Sequence, residues 1–131
     1  MIVIDCSYAL ALAFPDEDPP HSADHVMAQP LVAPHIFALE VANAALNSVR
    51  RRRYSPEEAE SICRTVEDLG VEVQPPPAVE YRYHLRMGLA HGLSAYDAMY
   101  LDAALAGRCA LATRDGPMAA AARKAGIEVF S

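Results

Sequence analysis

The chain has 131 residues, of which 53% are hydrophobic and 21% are charged, and its formal net charge is −6. This composition supports a single folded domain over residues 1–131 and excludes a disordered tail. No stretch approaches the roughly 18 apolar residues of a membrane span, and Met1 leads into an apolar run without a basic leader. We therefore expect a cytoplasmic protein with no membrane partner. The acidic balance argues against binding nucleic acid through bulk charge, unless several acids hold cations.

Motifs for several common chemistries are missing from the sequence. The three cysteines are widely spaced and form no CxxC pair, so neither a disulfide framework nor a zinc site is expected. The chain has no GxxxxGK[ST] or GxGxxG loop for nucleotides and no GxSxG element for serine catalysis.

Short apolar, β-branched runs alternate with helical patterns along the chain. This alternation predicts an α/β fold, with a short parallel sheet of four to five strands and right-handed crossovers. Strands are expected at residues 2–4, 31–33, 71–73, 109–112 and 127–130. Helices are expected at residues 8–14, 21–28, 34–53, 56–69, 78–91, 94–106 and 117–126.

Two helices carry informative local patterns. Ser55 followed by Pro56 and Glu58 predicts a capped helix start, and Gly70 predicts its end. In the helix at 34–53, spacing suggests a core face formed by Leu39, Ala42, Leu46 and Val49.

Four acids stand at positions where a sheet of this kind binds ligands. Asp5 and Asp115 each follow a buried strand, and Asp97 lies in the first turn of a helix. Glu40 lies within an apolar helix, where a bare carboxylate would be costly. Ligands bind beyond the carboxyl ends of parallel strands, where strand order reverses. If the strands before Asp5 and Asp115 are neighbours there, these carboxylates meet.

Carboxylates gathered in this way make chemical sense around hard cations. Mg²⁺ prefers oxygen ligands and bridges to phosphate, and a bound metal activates water for attack on phosphorus. Each acid also has a structural alternative: Asp5 and Asp115 suit helix caps, and Ser94 with Asp97 matches a capping box. Glu40 has the weakest structural alternative.

Five ordered segments resemble those of the PIN-domain ribonucleases, in particular the VapC-type toxins of VapBC toxin–antitoxin pairs. The resemblance covers essentially the whole chain and agrees in length. It is carried by residues 2–7 (IVIDCS), 39–43 (LEVAN), 93–101 (LSAYDAMYL), 111–115 (LATRD) and 121–127 (AARKAGI).

The resemblance implies a PIN-like three-layer fold with about seven helices and an endoribonuclease that depends on Mg²⁺ or Mn²⁺. It places Asp5, Glu40, Asp97 and Asp115 around the metal as catalytic and metal-binding residues. It also implies a homodimer that is silenced by a cognate antitoxin protein. It also implies that the hydroxyls of Ser7 and Thr113 line the site. We further expect Arg114, which precedes Asp115, to contact a phosphate of the substrate.

Alternatives remain at this stage. The chain could be a catalytically inactive PIN-like binding module that acts through a protein partner. A phosphatase of the haloacid-dehalogenase kind is disfavoured because Ser7 replaces the second aspartate of its DxD motif. A receiver domain is disfavoured because it needs a lysine at the end of a late strand, and Lys124 lies inside the last helix.

Asp102 departs from the pattern of the PIN-domain family, since a small apolar residue is usual at this position, and it points away from Asp97.

Basic and histidine patterns are open to two interpretations. Residues 50–53 are four arginines, which suit either RNA phosphates or simply a helix end. Arg82 and Arg86, one turn apart beside tyrosines, suit either substrate contact or an ordinary helix surface. His21 and His25 have i, i+4 spacing, but no glutamate follows His21 as in an HExxH zinc motif.

Overall fold

The computed structural model describes residues 1–78 and 80–131, which fold into a parallel sheet flanked by helices. The strands are β1 (Ile2–Ile4), β2 (Leu31–Ala33), β3 (Glu72–Val73), β4 (Ala110–Ala112) and β5 (Val129–Phe130). The helices are α1 (Cys6–Ala13), α2 (Ala23–Met27), α3 (Phe37–Arg50), α4 (Pro56–Asp68), α5 (Tyr81–His91), α6 (Ala95–Gly107) and α7 (Gly116–Lys124). The predicted α/β class, the short parallel sheet and the approximate number of helices are confirmed.

The sheet order is β3-β2-β1-β4-β5, with all neighbouring strands parallel. The chain builds outward from β1 through β2 to β3, then returns to place β4 on the other side of β1. Strand order therefore reverses between β1 and β4. In the register of these strands Ile4 lies opposite Ala112, so Asp5 and Thr113 leave the sheet side by side.

The core surrounds the central strands. Every residue of β1 and β2 is buried, as expected for strands covered on both faces, whereas the edge strand β3 is exposed. Helices α1, α3 and α4 pack against one another, and α6 packs against α5, α7, β1 and β4. Two helix groups and the sheet give the three layers predicted. Within the described residues, no helix is long and apolar enough to cross a membrane.

The local signals around α4 are confirmed. Ser55 accepts a hydrogen bond from the backbone N–H of Glu58, and the Glu58 side chain accepts one from the backbone N–H of Ser55. Gly70 follows the helix with φ of 67°, a conformation that favours glycine.

The predicted core face of α3 is wrong. Leu39 is 74% exposed and Leu46 is 44% exposed, whereas the buried residues of this helix are Phe37, Val41, Ala45 and Ser48. Leu39 lies about 200° around the helix from Phe37. Alanine and leucine side chains lie on more than one side of α3, so the spacing of apolar residues alone predicts the wrong buried side.

The start of α5 also differs from the prediction. The helix begins at Tyr81, because Glu80 has an extended backbone that precedes the first turn. The predicted start at residue 78 extends over Val79, which lies outside the described residues.

Candidate active site

Asp5 is the buried centre of the site. It directly follows β1, is 3% exposed, and caps α1 by accepting the backbone N–H of Tyr8 at 2.9 Å. Its two carboxylate oxygens also accept the hydroxyls of Ser7, at 2.7 Å, and Thr113, at 2.5 Å. Burial raises the pKa of Asp5 above its ordinary value of 3.8, and these hydrogen bonds only partly oppose the shift. The carboxylate is thus held rigidly in a poorly solvated place.

Ser7 and Thr113 join the ends of β1 and β4. The Ser7 hydroxyl oxygen accepts the backbone N–H of Arg114 at 2.9 Å, and the Thr113 hydroxyl oxygen accepts that of Asp115 at 3.0 Å. Each hydroxyl therefore donates to Asp5 and accepts from the chain after β4. Both residues contact Asp5, beside which the resemblance placed them. The backbone of Arg114 belongs to this network, and its exposed side chain lies at the surface.

Glu40 projects from the first turn of α3 towards α6, where the Tyr100 hydroxyl donates to Oε1 at 2.5 Å. Tyr100 is fully buried. Burial raises the pKa of Glu40 above its ordinary 4.5, the Tyr100 hydrogen bond lowers it, and the charges of Asp97 and Asp5 raise it further. The carboxylate of Glu40 in this apolar helix thus has a tyrosine hydroxyl as its hydrogen-bond partner.

Asp97 lies in the first turn of α6 and is partly buried. Its backbone N–H donates to the Ser94 hydroxyl at 3.0 Å, which is one half of the capping box. Within residues 1–78 and 80–131, no return hydrogen bond from the Ser94 backbone to the Asp97 carboxylate is seen, unlike the complete box at Ser55. Burial raises the pKa of Asp97, and the charge of Asp115 adds to the shift.

Asp115 caps α7, with Oδ1 accepting the backbone N–H of Met118 at 3.0 Å. The structural alternatives for Asp5 and Asp115 are therefore correct, but they do not compete with a site. A cap hydrogen bond engages one oxygen of a carboxylate, which leaves Oδ2 of Asp115 available.

The four acids interact electrostatically as a group. The charge of Asp115 raises the pKa of both Asp5 and Asp97, and the charges of Asp5 and Asp97 raise that of Glu40. Each acid is thus within electrostatic reach of two others. Four residues that are far apart in sequence lie at the edge where strand order reverses.

In residues 1–78 and 80–131, no ion pair with a basic side chain balances this group of carboxylates. Within the described part of the chain, the ion pairs involve Arg53, Arg64 and Arg82, and none reaches the four acids. Carboxylate and hydroxyl oxygens are the donors that Mg²⁺ and Mn²⁺ prefer, so the donor set and the uncompensated charge fit a hard divalent cation. In the described residues no three acids are close enough to enclose an ion as the side chains stand.

Cys6 lies directly beside this group and is partly buried. Burial, followed by the charges of Glu40 and Asp5, raises the pKa of its thiol to about 12. The thiol is therefore protonated at neutral pH and is unsuited to nucleophilic attack.

Sequence reasoning missed Tyr100. It lies three residues after Asp97, so the two side chains project from neighbouring turns of α6. A tyrosine one helical turn after a candidate acid was the available signal.

Two other patterns have a structural role. Arg53 pairs with Asp16 at 2.9 Å and lies over the rings of Phe14 and Tyr54, which supports the helix-end interpretation for the last arginine of the run. His21 precedes α2, so the i, i+4 pair does not share a helix, and the His25 ring packs on Phe130.

Comparisons with known proteins agree with this architecture. Among solved structures, PAE2754 from Pyrobaculum aerophilum has a TM-score of 0.74 at 24% identity, covering 98% of this chain and 89% of its own. FitAcB from Neisseria gonorrhoeae has a TM-score of 0.61 at 19% identity, covering 100% of this chain and 97% of its own. Curated protein sequences give no match. The family model described as "PIN domain" matches residues 2–124. The chain therefore belongs to the PIN-domain family.

Proposed function

We propose that this chain is a metal-dependent endoribonuclease, the toxin of a VapBC-type toxin–antitoxin pair. PIN domains are typically nucleases and generally use divalent metal ions. The observation that carries the proposal is the group of four carboxylates at the β1–β4 edge, which forms no ion pair in the described residues. The pKa values of Asp5, Glu40 and Asp97 are raised. Such a group is electrostatically unfavourable unless a cation binds.

Asp5, Glu40, Asp97 and Asp115 are the residues that would hold Mg²⁺, with Mn²⁺ as a substitute. When bound, the metal activates water and stabilises charge that develops on the phosphate. In the hydrolysis, the oxygen of water bonds to phosphorus while the bond from phosphorus to the leaving ribose oxygen breaks, and that oxygen takes up a proton.

The remaining residues position these acids. Ser7 and Thr113 fix both oxygens of Asp5, and Tyr100 fixes one oxygen of Glu40. Their hydroxyls thereby limit the freedom of the carboxylates, which reduces the entropy that metal binding would cost. Arg114 extends from the same loop at the surface, where its guanidinium would contact a phosphate of the substrate.

Two protein partners belong to the proposal. A homodimer is supported by large apolar side chains left exposed, among them Leu39, Leu85 and Leu89 at 74%, 61% and 74%. A cognate antitoxin is supported by the VapC-type segments of the sequence. Analytical ultracentrifugation of the chain, alone and co-expressed with a short neighbouring reading frame, tests both.

The activity is tested with Asp97→Asn, which removes one charge and keeps the size of the side chain. Asp68→Asn, at the exposed end of α4, is the matched control. We expect Mn²⁺-dependent cleavage of RNA by the parent and the control, and none by Asp97→Asn. Full-rate cleavage by Asp97→Asn would remove this residue from the site.

An inactive PIN-like module is the second candidate, because the four acids do not enclose a cation as they stand. Thermal unfolding with and without Mg²⁺ separates the two. A competent site gains stability on binding metal, whereas a degenerate site does not.

A further inference from the structure

A second concave feature lies at the same edge of the sheet as the four acids. It is a cavity of about 200 Å³ between α5, α6 and the loops that follow β2 and β3. His35 comes from the first loop, Gln74 from the second, and Asp102 from α6. The sequence singled out Asp102 as a departure from its family, and none of these residues has a part in the proposed metal site.

The cavity adjoins the acid group. Val3 pairs with Val32, so two residues further on Asp5 lies beside Pro34, which lines the cavity. Neighbouring strands are about 4.8 Å apart. Ala98, which also lines the cavity, directly follows Asp97. A molecule held at the acids is therefore within reach of the cavity.

Polar atoms in the cavity have capacity for a ligand. Asp102 Oδ1 accepts the Tyr83 hydroxyl at 2.7 Å, and within residues 1–78 and 80–131 its second oxygen has no protein donor. In the same part of the chain, His35 Nδ1 is buried without a hydrogen-bond partner. Buried polar atoms are normally satisfied, so a bound group would supply the partner that His35 Nδ1 lacks. The second oxygen of Asp102 is not buried in this way and is free to accept a hydrogen bond from the same group.

The other walls are apolar and include Pro75, Pro77, Met87 and Met99. Pockets for drug-sized ligands usually span about 300–1,000 Å³. The smaller size of this one suits a single planar ring system with polar edges.

A basic helix borders the cavity of this acidic protein. Helix α5 contains two arginines and no acid, and it contributes Tyr83, His84 and Met87 to the lining. Arg82 pairs with Glu80, whereas Arg86 has no acidic partner within the described residues. Arg86 lies about 60° around the helix from Tyr83. A phosphate of a polyanionic chain would complement Arg86 at this rim.

We propose that this cavity binds one unstacked base of single-stranded RNA, with Asp102 accepting from the exocyclic amine of the base and Arg86 facing a phosphate. The inference rests on the proposed nuclease function and gives its substrate strand a path between the four acids and α5. Unpaired bases splayed into pockets and read at their edges are the usual mode of sequence-specific RNA recognition. Uracil has no exocyclic amine, so the cavity selects against it.

Fluorescence anisotropy with single-stranded hexamers of cytidine or uridine tests the proposal, in EDTA so that binding is measured without cleavage. We expect the parent to bind the cytidine hexamer about 10-fold more tightly, in line with the discrimination that one base contact supplies. Asp102→Ala should abolish this preference. The control Asp68→Ala removes the same charge elsewhere and should retain it.

A second variant guards against an indirect effect of charge. Ala106→Trp adds bulk at an exposed position in the cavity wall and should also remove the preference, while circular dichroism shows a folded chain. Arg86→Ala should weaken the binding of both hexamers to the same extent, because a contact to a phosphate does not distinguish one base from another.

The outcomes separate this inference from the function on which it rests. Equal binding of the two hexamers by the parent, with Mn²⁺-dependent cleavage intact, overturns the base pocket and leaves the nuclease. A preference removed by Asp102→Ala in a chain that never cleaves RNA supports the pocket and removes the nuclease. If Asp102→Ala and Ala106→Trp leave the preference intact and instead abolish antitoxin binding, the occupant is a protein side chain and the base pocket is wrong.

Discussion

Two groups of acidic residues in this protein show opposite electrostatics. Asp16 and Glu17, in the loop after α1, pair with Arg53, and the Tyr54 hydroxyl donates to Asp16. These hydrogen bonds lower the pKa of Asp16. At the β1–β4 edge, burial and mutual repulsion instead raise the pKa values of Asp5, Glu40 and Asp97.

We interpret this difference as one between acids that only stabilise the fold and acids that we propose also bind a metal ion. The first group is balanced by a cation from the chain itself. The second group is partly or fully buried and repulsive, which a folded protein retains only when something else offsets the charge. The contrast can be tested by making the same substitution in both groups.

The largest expected effect is on activity. Asp5→Asn keeps a helix-capping side chain, since asparagine caps as well as aspartate, but removes the charge. Loss of a residue that only supports a metal's ligands lowers activity by about 10- to 100-fold. Because we propose Asp5 as a ligand itself, we expect RNA cleavage to fall at least about 100-fold. Asp16→Asn should leave cleavage unchanged. Initial rates at saturating Mn²⁺ measure both, and equal rates would contradict the comparison.

The second effect is on thermal stability. In EDTA, Asp97→Asn should raise the melting temperature, because it relieves repulsion from Asp115 and Glu40. Mg²⁺ should then stabilise the parent but not the variant. Asp16→Asn should lower the melting temperature slightly and leave the response to Mg²⁺ intact. Scanning calorimetry measures these melting temperatures. An equal rise in melting temperature on adding Mg²⁺ to the parent and to Asp97→Asn would contradict the prediction.

The third effect is a pair of opposite pH dependences in metal-free buffer. The raised pKa of Asp97 means that its folded form binds protons more readily, so its contribution to stability is present below pH 3.8 and is lost as pH rises. The stability gained by Asp97→Asn should therefore be small near pH 4 and grow towards neutrality. The pKa of Asp16 is lowered, so its contribution is present above pH 3.8 and is lost as pH falls.

Urea unfolding of both variants between pH 4 and 7 measures these two slopes. Parallel slopes for Asp97→Asn and Asp16→Asn would show that the two groups of acids do not differ.

The smallest effect concerns the tyrosine partner of each group. Tyr100→Phe leaves Glu40 without its donor in a partly buried place, and we expect a loss of about 1–3 kcal/mol in the free energy of unfolding. Tyr54→Phe should cost less, because water can replace the hydroxyl beside the exposed Asp16. Denaturant unfolding at neutral pH compares the two, and a larger loss for Tyr54→Phe would reverse the interpretation.

Much of the fold could be predicted from local signals. The β-branched run at 2–4, the capping box at Ser55 and the glycine at 70 act over a few residues, and each is found where predicted. The buried face of α3 could not be predicted in the same way. Its alanines and leucines line more than one side of the helix, and packing against α4 and α1 selects the side of Phe37 and Val41.

The sequence by itself determined which residues were candidates for the site, because an acid after a buried strand or inside an apolar helix conflicts with its surroundings wherever it occurs. Only the tertiary structure decided that β1 and β4 are neighbours, that Tyr100 is the partner of Glu40, and that Asp102 faces a cavity beside α5. These are contacts between distant parts of the chain, and they depend on how the sheet orders its strands and how the helices pack. Local propensity carries no information about either.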